Sequence, residues 1–300
     1  MALAWKEAHP ELVDACSNAL GWNPADVDFS WVQSVMTDNK EFVSCLADGA
    51  DQYAKRYGAE HPGDATLRWW LGWAHFAELS YPDAEREFTN SVTKYKDYVN
   101  SWFFIALSRY HQKNYDGAIE SFVRYWELAP TDAVKSMQGG QKQNLAILDY
   151  LVGVCARSSP VKNYEAGVLS EMQAEAAQDV DRYWNNVGLF YRDAGEALSR
   201  SGKKNADRAM KLYEGSWKGY QRAIDLDPEN PAYLNDGAVL LHYYLKREYD
   251  KAIQMYKDAF ANAERLLAQD NLSKDKRELF TIARRDSKNN LKLLQRELEK

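Results

Sequence analysis

The sequence predicts an all-α protein built from antiparallel helix hairpins and closed by a C-terminal helix. Three observations predict it. Leu71-Gly72, Tyr81, Ala84 and Phe88 recur 34 positions later as Ile105-Ala106, Tyr115, Ala118 and Phe122. The 300 residues are 45% apolar and 13% aromatic, enough to bury a large core. The last segment opens at Ser273, a residue suited to an N-cap, and carries Leu279, Ile282, Ala283, Leu291, Leu294 and Leu298 as a broken apolar stripe.

The recurrence reads as a hairpin because of where its small residues fall. Gly72 or Ala106 midway along a first helix, and Ala84 or Ala118 early in a second, let two helices approach closely. Phe88 and Phe122, four residues further on, share the face of that alanine. The helix A pattern returns at Trp184, Val187-Gly188 and Tyr191, and the end of helix B at Tyr220, Ala223 and Pro228, with about 15 extra residues between them. Ala209 and Tyr213 stand seven positions before Ser216 and Tyr220, so part of that insertion is expected to be two added helical turns that keep the buried face in register. A further unit carries Gly237, then Tyr249, Ala252, Tyr256 and Ala259.

Residues 131–180 fit less closely. Gly139-Gly140 and Ser158-Ser159-Pro160 break the chain around helical stretches expected near 141–157 and 163–178. Before residue 65, 38–58 reads as a second helix of a partial repeat and 9–36 as irregular or capping helices. The expected organisation is therefore 1–64 capping and partial repeat, 65–130 two regular repeats, 131–180 a degenerate repeat, 181–268 two repeats with extended helices, and 269–300 a terminal helix covering the last core.

These residues resemble the tetratricopeptide repeat (TPR), whose 34-residue unit places Leu-Gly and an aromatic in helix A, and Ala, an aromatic, Ala and a closing Pro around helix B. Pro130 falls at the closing position. The resemblance implies a right-handed superhelical TPR-like α-solenoid, a non-catalytic scaffold for protein–protein interaction. It also implies that particular helix A positions line a concave surface: Trp69, Trp70, Trp73 and Phe76, then Phe103, Phe104, Leu107 and Tyr110, then Asn185, Asn186, Leu189 and Arg192, then Leu234, Asn235 and His242. Each aromatic there either lines the groove or packs between repeats, and Arg109, at a usually aromatic position, raises a rotation of its helix by one residue. The subgroup that grips a carboxyl terminus uses Lys and Asn where Trp69 and Trp73 stand, so that mode is not expected.

Little in the chain suggests catalysis. The five histidines lack metal-ligand spacing, no phosphate-binding glycine loop occurs, and Cys16, Cys45 and Cys155 are too dispersed for a zinc or redox pair. No metal, cofactor or catalytic residue is expected. Buried free thiols suit a reducing, cytoplasmic setting, while a leader removed beforehand would instead place the protein in the periplasm or envelope. The net charge is −6, with nine Lys/Arg against five Asp/Glu in residues 274–300 and about −10 on the rest. Nucleic acid is therefore not an expected partner, and no stretch is long and apolar enough for membrane insertion. The basic end reads either as a solvated helix face or as a patch for an acidic partner. The expected partner is a protein or peptide segment; the other reading is a small-ligand or lipid-like binding helper subunit of an envelope or transport system.

Overall fold

A computed structural model describes residues 65–94, 96 and 98–300. The expectations for 9–36 and 38–58, and for Cys16 and Cys45, lie outside the described residues. Among these residues the regular structure is helical and no strand occurs. The chain divides into two compact units, Met1–Lys142 and Gln143–Lys300.

In the first unit α1 (Ala65–Ala77) pairs with α2 (Tyr81–Lys94), and α3 (Ser101–His111) with α4 (Tyr115–Leu128), followed by α5 (Pro130–Gln138). The 34-residue period extends to the backbone. Leu79 (φ 62°) and Lys113 (φ 63°) are 34 apart, and both turns close with the same bonds: Ser80 N to His75 O and Leu79 N to Phe76 O, then Asn114 N to Arg109 O and Lys113 N to Tyr110 O. A left-handed residue ends each first helix and turns the chain back. Asn114 then caps α4 by accepting from Gly117 N. Helix α5 was hidden in the sequence. Tyr125 explains its docking, since its hydroxyl donates to Asn100 Oδ1 (2.6 Å) and lies 3.0 Å from Ser136 Oγ on α5.

Arg109 does not require a rotated helix. Its guanidinium bonds Glu85 of α2 (2.7 Å) and Gly117 O and Ser121 Oγ of α4, so it joins consecutive hairpins while Phe103, Phe104 and Leu107 remain buried.

The second unit begins within α6 (Gln141–Arg157) and continues through α7 (Asn163–Ala176), α8 (Asp181–Arg200), a short 3-10 turn, α9 (Ala206–Leu226), α10 (Pro231–Val239), a π-helical end at Leu240–Leu245, α11 (Tyr249–Leu267) and α12 (Lys274–Leu298). The α8/α9 hairpin shows why small residues recur. The Tyr220 ring lies so close over Gly188 that a Cβ there would stand 2.5 Å from it, and Tyr213 does the same over Gly195 (2.6 Å). Seven residues forward on α8 match seven back on α9, which is an antiparallel pairing carried two turns outward. The insertion thus lengthens both helices and repeats the same contact.

Helix α12 packs on α11 and α10. Its buried face is Phe280, Ala283, Ser287 and Leu294, a 3–4–7 spacing. Of the expected stripe, Leu279, Ile282 and Leu298 are exposed instead; Leu279 and Ile282 neighbour Phe280 and Ala283 in sequence but point about 100° away from them. Leu294 joins the cluster of Ala252, Met255, Tyr256 and Ala259, and Leu291 packs against it.

Two outcomes test this packing. A Cβ on Gly219 would meet backbone atoms of α8, Gly188 N at 2.7 Å and Trp184 O at 2.8 Å, whereas one on Gly153 meets only the end of the Arg157 side chain. Gly219→Ala should therefore cost about 1–3 kcal/mol in urea unfolding, while Gly153→Ala should be neutral or up to about 1 kcal/mol stabilising; equal effects would contradict the close approach. Lys113→Gly should raise stability by roughly 0.5–1 kcal/mol, because glycine carries no Cβ into the left-handed region. A loss on that substitution would mean the turn is not left-handed in solution.

Candidate functional site

A partly exposed stripe of mixed chemistry lies along α8. Asp181, Asn185, Leu189 and Arg192 follow one another at helical spacing, and all four are partly exposed. Helix α10 meets the stripe at two points. At one end Tyr233 donates its hydroxyl to Asp181 Oδ2 (2.8 Å). At the other, Arg192 bonds Asp193 (2.8 Å) and the Tyr220 hydroxyl (3.3 Å), and its charge attracts Asp236 of α10.

Asp236 has no cation within ion-pair distance among the described residues. Burial pushes its carboxyl up to about 6; Arg192 and the Asn235 amide oppose that rise, while the carboxylates of Asp193 and Asp286 add to it. Two amide oxygens, one on each helix, stand unpaired. Asn185 Oδ1 and Asn235 Oδ1 are covered and have no hydrogen-bond partner among the described residues. A buried acceptor left unpaired costs about 1–3 kcal/mol, so the seam has unused hydrogen-bonding capacity.

The other residues expected to line a surface fall differently. In the first unit Trp73 is 4% exposed, Trp69 9%, Phe103 1% and Leu107 7%. Trp73 lies 4.3 Å from Phe104, which stacks on Phe88 of α2, so these rings form the interior between consecutive hairpins. Phe76 and Tyr110 are partly exposed, and His111 stacks on Tyr81 at 4.4 Å. Trp70 belongs to α1, but its side chain lies outside the described set. In the second unit Asn186 is partly exposed, Leu234 is buried, and His242 is buried between Tyr256 and Glu297. Asp181, Tyr233 and Asp236 were not singled out from sequence; the i, i+4 spacing of Asp181 and Asn185 was the one available signal.

A second, shallower feature is a cleft of about 370 Å³ between α7, α8 and α9, lined by Glu175, Trp184, Lys218 and Arg222 among others. Four of its lining residues already pair with one another. Lys218 pairs with Glu175 at 3.0 Å and lies over the Trp184 ring, whose Nε1 donates to Gln178 O. Cys155 is buried, and no cluster of metal-ligating residues occurs among the described residues. Within that set no helix is long and apolar enough to cross a membrane.

No family model and no curated protein matches the sequence. Solved structures do. A TPR repeats protein (BF2334) from Bacteroides fragilis NCTC 9343 superposes with a TM-score of 0.38 at 11% identity over 72% of this chain and 98% of its own. YrrB, described as a TPR protein with an unusual peptide-binding site, gives 0.36 at 10% identity over 77% and 97%. MamA from Desulfovibrio magneticus RS-1 gives 0.30 at 17% identity over 68% and 97%. The resemblance is to tetratricopeptide repeat proteins. At these TM-scores the helix-hairpin assignment rests on the helices of this chain themselves.

Truncating Trp73 to Ala should cost about 3–5 kcal/mol of stability, the penalty for emptying a packed aromatic site; a melting temperature close to wild type would place the ring at the surface. Asp236 has a defined pH signature. The folded protein keeps its proton up to about pH 6, whereas the unfolded chain releases it near 3.8. Its contribution is most favourable at low pH and is lost as pH rises through about 6. Relative to wild type, Asp236→Asn should therefore gain stability at neutral pH and show a flatter profile between about pH 4 and 7. Parallel profiles for the two proteins would rule this out.

Proposed function

We propose that this protein is a non-catalytic interaction scaffold that holds an extended segment of a partner polypeptide along the seam of α8 and α10. The observation that carries the reading is the stripe of Asp181, Asn185, Leu189 and Arg192, with the unpaired amide oxygen of Asn185 within it. An extended peptide presents a backbone N–H at regular intervals, which suits such acceptors. Asn185 is partly exposed, and turning its amide outward would let a partner N–H supply the missing bond. Leu189 supplies apolar contact in the middle of the stripe, and Arg192 arrives already oriented by Asp193 and Tyr220, so little side-chain freedom is lost on binding. Asp181, Asp193 and Asp236 disfavour a polyanion here, which argues for polypeptide over nucleic acid.

Co-purification with mass spectrometry should recover a recurring polypeptide. Asn185→Ala should weaken its capture about ten-fold, equivalent to roughly 1.4 kcal/mol, with thermal unfolding near wild type. A recurring small molecule in place of a polypeptide would favour the ligand-binding helper, and capture indifferent to Asn185→Ala would remove the seam from the reading.

A further inference from the structure

Helix α12 segregates most of its charges by flank: six of its eight Lys/Arg share one side, while Lys276 lies opposite and Arg296 at the angle of Glu278. At about 100° of rotation per residue, Lys274, Arg277, Arg284, Arg285, Lys288 and Lys292 fall along one side of the helix over about 27 Å. All are exposed except Arg284, which is partly so. Asp275, Asp286 and Glu297 fall on the other side, and Glu278 lies between the two. Among the described residues only Arg285 of the six has a carboxylate within ion-pair distance, Asp286 at 2.8 Å. Arg277 caps the end of α11 through the carbonyls of Leu267 and Gln269, and Lys288 lies over the Phe260 ring of α11. The flank therefore borders α11, with an aromatic ring at its edge.

Capping and solubility do not account for this arrangement. Arg284, Lys288 and Lys292 are spaced i, i+4, i+8, so each faces a like charge one turn away, a geometry that weakens a helix by a few tenths of a kcal/mol per pair. Alternating signs would keep the helix equally soluble and make it more stable. The helix dipole favours cations only in the last turn, beyond Lys292. A row of like charges becomes favourable once an anionic chain lies along it and bridges successive cations.

We propose that this flank of α12 docks an acidic polypeptide segment carrying several Asp or Glu residues, on a surface separate from the α8/α10 seam. The rest of the chain carries about −10, so the patch is a local positive field on an acidic molecule. That background repels a long duplex or an extended anionic membrane more than it repels a short peptide confined to one flank.

The test uses the full chain and a fluorescent poly-glutamate peptide read by anisotropy. Binding should weaken steeply with salt. The triple variant Arg284→Gln, Lys288→Gln, Lys292→Gln should lose at least about ten-fold in affinity while melting near wild type, since the relief of like-charge contacts offsets the lost Lys288 contact with Phe260. A control with the same charge change, Lys203→Gln, Lys204→Gln, Lys211→Gln, alters exposed residues away from α12 and should bind as wild type. Equal losses in both variants would reduce the effect to net charge and overturn the proposal. Absent peptide binding would overturn it too, as would tighter binding to phosphatidylserine vesicles or duplex DNA, or self-association that the α12 triple variant abolishes, which would make the occupant a second copy.

Discussion

The contact on which the structure depends is an aromatic ring of one helix lying over a small residue of its neighbour. Phe88 over Gly72, Tyr220 over Gly188 and Tyr213 over Gly195 are one device used three times. A ring needs a flat seat, and a residue without a side chain provides it by letting the backbones close. The ring of the neighbouring helix then fills the space a Cβ would take, the close packing typical of protein interiors. Because the seat admits one ring in one place, it fixes the register of each hairpin as well as holding it. Tyr191 extends the device sideways, wedged between Gly167 of α7 and Gly215 of α9.

That constraint explains where polar groups remain available. Ring faces claim the contacts between paired helices, so polar side chains fall on stripes that a neighbouring helix covers only in part. On α8 that stripe is the seam with Asn185 and Arg192; on α12 it is the cationic flank. The two differ in chemistry. The seam is short of hydrogen-bond donors and holds a carboxylate whose charge is poorly compensated, whereas the flank is short of anions.

The hairpins from residue 65 onward were legible because their contacts are local and periodic. The Gly-to-aromatic spacing, the two added turns of α8 and α9, and α6 and α7 all follow from residue types at helical intervals. Helix α5 was not legible, since its docking depends on the Tyr125 hydroxyl reaching Ser136. The turns at Leu79 and Lys113 were hidden too: they adopt a left-handed conformation without the glycine that normally announces it. The aromatic residues near Trp73 could be counted from the sequence, but whether they face solvent depends on which neighbouring helix covers them.

The sequence by itself therefore determined the helical class, the hairpin period and the set of residues on each helix face, because these depend on backbone geometry and on neighbours within a few turns. Only the tertiary structure decided which faces are covered. Trp69, Trp73 and Phe103 went inside while Asn185 and Arg192 stayed partly exposed, and α12 turned Phe280 and Leu294 inward in place of Leu279 and Ile282. Burial is a property of helix pairs, settled by the distance at which two backbones can pack, and no single stretch of sequence carries that distance.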